Sequence, residues 1–451
     1  MADEQRARPA QVPTGLGGTI LALAVPALGA LIAEPLFLMA DTAIVGHLGL
    51  NQLAGAGLGT TVLQTAVGLM VFLAYSTTPA VARWLGAKRL DRALAAGRDG
   101  LWLALGLGVL LAVAGWFAGP ALLSSMGATG EVYGFALDYL RFSMPGLPAM
   151  LLVLAATGVL RGLQDTKTPL WVAGAGFGVN IVLNLVLVYG AGLSVAGSAI
   201  GTSLAQWGMA AVYLVLLVPR LRAAGVPLRP HLAGVIGTGK VGSWLMLRTL
   251  SLRVGILATV WVATSDGALT LAAHQLVFSI FTFMAFALDA LAIAAQALIG
   301  KELGAGEKAR AGALTRVMTR WGLLFGVGTG VVLALVAPVL GALFTSDTEV
   351  QRAAAIGLWV LAASQPLAGL VFVLDGVLIG AGDARYLAVA GVIALVLYAP
   401  LLAGAALLPL VPDLPILWLW CAFGVGYMAL RAVTLLWRIR NDRWMSLGAP
   451  A

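Results

Sequence analysis

Twelve stretches of this chain are each long and apolar enough to cross a lipid bilayer, which takes about 20 residues. They run at Leu16–Ala40, Leu53–Ala82, Leu101–Leu123, Tyr133–Leu160, Leu170–Tyr189, Val195–Val218, Val241–Thr264, Leu269–Ile299, Leu314–Phe344, Ala353–Ile379, Leu387–Leu408 and Leu414–Leu436. In hydrocarbon the backbone must satisfy its own hydrogen bonds, so runs of this length fold as helices. The fold class expected is all-α, a polytopic membrane protein of 12 transmembrane helices. Composition agrees: 61% of the 451 residues are hydrophobic and 10% are charged, against roughly 25% charged in a soluble domain. That excludes a disordered chain, a soluble enzyme and a nucleic-acid binder. The one cysteine, Cys421, excludes an intrachain disulfide and a cysteine metal site. Met1–Gln11 is polar, and no removable signal peptide is expected.

Positive charge gathers at alternate connections. Arg83, Lys88, Arg89, Arg92 and Arg98 form one cluster, Arg220, Arg222, Arg229 and Lys240 another, Lys301, Lys308, Arg310 and Arg316 a third. Arg161 with Lys167, Arg385, and Arg438, Arg440 and Arg443 continue the series. The remaining connections carry Arg352 among acids such as Glu131, Asp266, Asp347, Glu349 and Asp413. Basic loops stay in the cytoplasm, so both termini are expected there, in the inner (plasma) membrane.

The chain also repeats. With an offset of 218, Leu85–Asp165 and Leu303–Asp383 are identical at 25 of 81 positions without a gap. The matches include Leu85-Gly86-Ala87 with Leu303-Gly304-Ala305, Pro148 with Pro366, and Gly158-Val159-Leu160 with Gly376-Val377-Leu378. An even number of spans per repeat sends both halves into the membrane in the same direction, related by an axis along the membrane normal. Two pseudo-symmetric six-helix lobes forming a cleft are expected: residues 1–218, a cytoplasmic basic linker at 219–239, and residues 240–451. This is a transporter layout, not that of an enzyme.

Acids within apolar spans cost about 2.5 to 3.5 kcal/mol each on insertion scales, so each needs a reason. Asp41 is the most informative, because its counterpart under the offset is Thr259. A carboxyl group placed in one lobe only suggests a coupling site; low dielectric penalises its charged form, so it can gain and lose a proton as its surroundings change. An end-of-helix position in bulk water is the alternative. Pro26, fifteen residues earlier in the same span, permits a bend. Asn180 and Asn184 lie one turn apart and face the same way. With Thr202 they are candidates to hydrogen-bond a carboxylate, or else helix-packing glue. Glu34 either lines the cleft or pairs with an arginine. Asp289 and Asp375 either contact substrate cations or pair with Arg248, Arg253 or Arg431. Methionines and aromatic rings adapt to varied ligands, and Met39, Met70, Tyr139, Met150, Phe278, Phe283 and Met284 are the candidates for a cleft wall.

Other motifs fail. Gly234–Val241 is one residue short of a phosphate loop and lacks its hydroxyl, so ATP is not the expected energy source. The histidines His47, His231 and His274 have no metal-ligand spacing.

Asp41-Thr42-Ala43-Ile44-Val45-Gly46-His47-Leu48-Gly49, Arg161-Gly162-Leu163-Gln164-Asp165-Thr166-Lys167-Thr168-Pro169, Ala272-Ala273-His274-Gln275 and Leu374-Asp375-Gly376-Val377-Leu378-Ile379-Gly380 resemble the multidrug and toxic compound extrusion (MATE) family, most of all its DNA-damage-inducible protein F (DinF) branch. The resemblance runs through nearly the whole chain. It implies a V-shaped, two-lobe secondary antiporter that exports cationic or amphipathic compounds against protons or sodium ions, with no cofactor. The family's first-helix aspartate corresponds to Asp41, its bending proline to Pro26, its fifth-helix asparagine to Asn180 and its sixth-helix threonine to Thr202. Some relatives carry a second aspartate where this chain has Asn184. An amide releases no proton and supplies no charge to a sodium ion, so proton coupling through Asp41 is the first expectation and sodium the second. A lipid-linked precursor flippase of the wider superfamily is a further alternative, and would want a cationic cleft. Expected partners are small cationic or amphipathic molecules and the lipid bilayer, with no nucleic acid, and the chain is expected to act as a monomer.

Overall fold

The computed structural model describes residues 16–407 and 414–448. The polar start of the chain and Asp413 lie outside the described residues. Twelve long helical spans follow in order: α1 (Leu16–Gly46), α2 (Leu50–Gly86), α3 (Leu90–Ser125), α4 (Gly130–Gly162), α5 (Lys167–Gly190), α6 (Ser194–Ala223), α7 (Leu232–Ser265), α8 (Ala268–Gly304), α9 (Lys308–Leu343), α10 (Thr348–Gly380), α11 (Ala384–Leu407) and α12 (Pro415–Ile439). Large apolar side chains such as Trp171, Trp261, Leu335 and Leu343 point outward from these helices, as expected where the surrounding solvent is lipid. The helices run past the limits expected from hydropathy, because polar residues at their ends are helical too. The linker shows this most: α6 continues to Ala223 and α7 starts at Leu232, so the irregular connection is 224–231 rather than 219–239. It is pinned to α3. Arg98 donates to Pro227 O at 2.9 Å, Trp102 to Leu228 O at 2.9 Å, and the His231 amide to Asp99 Oδ1 at 3.1 Å.

Prolines interrupt the spans without ending them. In α4, Pro145 and Pro148 supply no amide hydrogens, and the ladder tightens to a 3-10 turn at Met144–Gly146. Side chains of α6 take up carbonyls there: Ser203 Oγ donates to Phe142 O and Trp207 Nε1 to Pro145 O, both at 2.9 Å. In α1, Pro26 cannot bond Ala22 O, and Thr166 Oγ1 donates to that carbonyl instead at 3.5 Å. This is how irregular backbone survives in hydrocarbon.

The apolar core has the shape of a fork. At the basic end one cluster spans both lobes, joining Leu73, Val81 and Leu160 to Ile299, Leu303 and Val377. Toward the other end it divides into Val45, Ala56, Leu63 and Leu140 on one side and Val262, Val277, Leu358 and Tyr398 on the other. The two prongs and the cleft between them form the V. The lobes meet most closely at a pseudo-symmetric pair of glycines. A methyl group on Gly86 would lie 1.9 Å from Lys301 O, and one on Gly304 would lie 2.0 Å from Arg83 O. Under the offset of 218 these are the same contact seen from each lobe, so the repeated Leu-Gly-Ala motif marks the point where the halves touch.

Candidate functional site

Asp41 sits near the far end of α1 from the basic face, turned into the N-terminal prong and 7% exposed. Its Oδ1 accepts hydrogen bonds from Asn184 Nδ2 at 2.7 Å and from Ser198 Oγ at 2.6 Å. Asn180 lies one turn before Asn184 on α5, and Thr202 one turn after Ser198 on α6, so each shares the helix face of a residue that bonds Asp41. All four are buried. Three oxygens among them, Asn180 Oδ1, Asn184 Oδ1 and Thr202 Oγ1, have no hydrogen-bond partner. Buried polar groups are ordinarily satisfied, so this cluster has acceptor capacity held in reserve beside a carboxyl group. Directly after Asn184, α5 widens into a π-helical turn at Val186–Gly190, a feature frequent at functional sites.

Gly201 makes the cage fit. A methyl group there would lie 2.1 Å from Asn184 Oδ1, so any side chain would drive the amide away from Asp41. Gly201→Ala is expected to lower transport about tenfold, the factor that corresponds to losing about 1.4 kcal/mol of coupling. Gly57→Ala, where nothing lies within 4 Å, is expected to leave it unchanged; initial efflux rates in everted vesicles compare the two.

The offset shows what the other lobe has instead. Asp41 corresponds to Thr259 and Asn180 to Tyr398, which share a hydrogen bond of 2.6 Å. Thr202 corresponds to Trp420. Tyr398 and Trp420 are wholly buried among Phe281, Phe423 and Tyr427. The second lobe has filled the equivalent space with aromatic rings, and among the described residues the polar site exists once.

Beside the cage lies a cavity of about 220 Å³, lined by Glu34, Phe37, Tyr75, Tyr139, Met150, Arg161, Phe177 and Thr202 of the first lobe and by Asp289 and Ile293 of the second. Phe37 and Phe177 stack with centroids 5.0 Å apart, forming one wall. Glu34, Asp289, Tyr139 and Met150 are thus on the cavity wall, and Asp289 also lies within reach of the charges of Arg248, Arg161 and Arg431. Met39, Phe283 and Met284 do not line it. Met39 is 69% exposed and Phe283 54%. Helical phase is the reason. Met39 lies two residues from both Phe37 and Asp41, about 200° round the helix. Phe283 and Met284 are about 120° and 140° round α8 from Asp289. Asp375 is also outside the cavity. It receives Arg431 Nη2 at 2.8 Å and is ion-paired with Arg248 as well, so it stands as an internal counter-ion of the second lobe. In the first lobe the equivalent pair is neutral, Thr157 Oγ1 with Tyr213 OH at 3.0 Å.

Ser198 and Gly201 are the site residues that sequence reasoning missed. Ser198 lies four residues before Thr202, and the same one-turn spacing that linked the asparagines would have found it. Among the described residues no group of three or more His, Cys, Asp or Glu side chains is placed to hold a metal ion.

The MatE family profile matches residues 26–186 and 246–403, one segment in each lobe and together more than half of the chain. Protein DETOXIFICATION 44, chloroplastic, from Arabidopsis thaliana is 31% identical over 96% of this chain and 84% of its own length. DNA damage-inducible protein F of Escherichia coli (strain K12) is 29% identical over 94% of this chain and 93% of its own. Among solved structures, the Vibrio cholerae MATE transporter VcmN in the bent form superposes with a TM-score of 0.86 at 20% identity, over 96% of this chain and 99% of that one. A Pyrococcus furiosus transporter of the MOP superfamily, described as having a binding pocket of reverse polarity, superposes with a TM-score of 0.84 at 22% identity, over 95% and 99%. Twelve spans, a forked core and a family match on each prong lead to one conclusion: the chain belongs to the MATE family of multidrug transporters and is a membrane transporter, not an enzyme.

Proposed function

We propose that this chain exports cationic or amphipathic compounds in exchange for protons, with the basic face and both termini in the cytoplasm of a plasma membrane, acting as a monomer whose two lobes alternate. The observation that carries the reading is the Asp41 carboxylate, held by Asn184 and Ser198 in one lobe only. While charged, Asp41 accepts both bonds. On taking a proton it becomes a donor, and the unpartnered oxygens of Asn180, Asn184 and Thr202 are acceptors for that new O–H. The hydrogen-bond pattern joining α1 to α5 and α6 is thereby rewritten, and α1 carries Pro26 and Pro35, at which an i to i−4 bond is already missing. Cationic groups are drawn to Glu34 and Asp289 on the cavity wall, and apolar parts to Phe37, Phe177, Tyr139 and Met150. Only a difference in the affinities of proton and substrate for the two lobe arrangements can drive exchange.

Sodium is the second reading, and a specific observation favours it. Three orphaned buried oxygens beside one carboxylate are also hard-ligand chemistry. The two are separated in proteoliposomes by imposing each gradient alone. Proton coupling predicts substrate movement under a pH gradient in sodium-free buffer and none under a sodium gradient at equal pH; the reverse pattern overturns it. The flippase alternative wants a cationic cleft, whereas this cavity has Glu34 and Asp289 against Arg161.

A further inference from the structure

Beyond α12 the chain turns back onto the bundle. Asp442–Trp444 forms a 3-10 turn, and Trp444 is 2% exposed within the core cluster shared by both lobes. Lys308 of α9 pairs with Asp442 at 2.8 Å. Further on, the Gly448 amide donates to Leu303 O of α8 at 3.0 Å. The last two contacts both lie in the second lobe.

One arginine of the first lobe reaches across to this segment. Arg83, at the basic end of α2, is buried. Its Nη2 donates to Ser446 O and, at 3.1 Å, to Ser446 Oγ; its Nε donates to Gly448 O at 3.3 Å, and its Nη1 to Ala381 O at 3.0 Å. All four bonds end on the second lobe. None involves a carboxylate, so the guanidinium is held by backbone dipoles and a hydroxyl presented at one geometry. A fork of fixed donors reads such a surface in a way that a point charge does not. The repeat underlines the asymmetry, since the counterpart of Arg83 is Lys301, which is exposed. Arg83 also sits where α2 and α8 touch, its carbonyl being the atom that excludes a side chain at Gly304. The lobes cannot separate at this end without drawing Arg83 out of the 446–448 segment.

We propose that residues 441–448 form a strap across the cytoplasmic ends of the lobes, tied to the second lobe through Asp442 and Gly448 and closed onto the first by Arg83, which holds the cytoplasmic side shut until it lets go. The strap rests on the alternation of the lobes proposed above and adds to it the element that sets the balance between the two arrangements.

Spin labels on Arg92→Cys and Glu307→Cys, both exposed near the basic end of different lobes, in a Cys421→Ser background read the cytoplasmic separation by pulsed electron resonance. Arg83→Gln removes the fork. Gly448→Pro removes the amide donor and is incompatible with the φ of +88° at that position, while leaving Arg83 and the buried Trp444 in place. Each variant is expected to raise the fraction of long distances about threefold over the parent, and the double variant to add nothing, because both cut one contact. An unchanged distribution in Gly448→Pro overturns the strap even if Arg83→Gln opens the protein, since loosening the segment from Leu303 would then leave the closed arrangement untouched. Transport in the same proteins is read separately. A strap-dependent change in distance without proton-driven transport supports the strap and removes the antiport reading.

Discussion

Asp41→Asn is expected to abolish efflux driven by a pH gradient, lowering it at least about tenfold and down to passive leak, while the protein still inserts and folds. The substitution keeps shape, burial and hydrogen bonding nearly constant. The amide that replaces the carboxyl group can still accept from Asn184 and Ser198 and can still donate to the orphaned oxygens nearby. It cannot change charge, so the pattern that separates two arrangements of the site is frozen. A ligand shifts an equilibrium only through differential binding, and a site that binds no proton offers none. Thermal stability is expected to be unchanged or slightly raised, because a buried charge is removed without leaving a hole. Efflux from cells or everted vesicles checks the first point, and thermal unfolding in detergent the second. Full gradient-driven efflux by the variant would remove Asp41 from the mechanism.

Asp375→Ala is expected to damage stability much more than coupling. Arg248 and Arg431 both pair with Asp375, and all three side chains are largely buried. Removing the shared carboxylate leaves two buried guanidinium groups facing one another, with Asp289 as the remaining acid whose charge reaches both. Breaking a buried pair from one side costs about 3–5 kcal/mol, enough to deplete folded protein in the membrane. The repeat supplies the control. Replacing the charged members together by the neutral pair of the first lobe, Asp375→Thr with Arg431→Tyr, is expected to recover part of the loss, because the equivalent Thr157 and Tyr213 are hydrogen-bonded there. Arg248 has no such counterpart, Ala30 standing at its place, and it limits the recovery. Melting temperatures in one detergent compare the three proteins. A single variant as stable as the parent would show that the ion pair carries no structural burden.

Much of the fold was readable because the bilayer imposes a simple rule: long apolar runs must be helices, and basic ends mark one face. The repeat was readable because the two halves meet on themselves, and the glycines at the meeting point tolerate no side chain. Asp41, Asn180, Asn184 and Thr202 stood out because polar groups in apolar helices are expensive. Ser198 did not, since one hydroxyl among small residues is cheap in any setting and only its one-turn spacing from Thr202 marks it. Nor could sequence decide which face of α1 or α8 looks into the cavity. Those helices carry apolar residues all round, so no periodicity separates Met39 from Phe37 or Met284 from Asp289. The fates of Asp289 and Asp375 turned on tertiary placement too. One lines the cavity, and the other lies between two arginines from helices distant in sequence.

The central claim is that one carboxyl group gives up a proton when substrate binds, and substrate-induced proton release measures that directly. A saturating cationic substrate added to detergent-solubilised protein in weakly buffered solution near neutral pH is expected to release up to about one proton per molecule from the parent and none from Asp41→Asn. Equal release from the two proteins would contradict the account, because the exchanging group would then lie elsewhere.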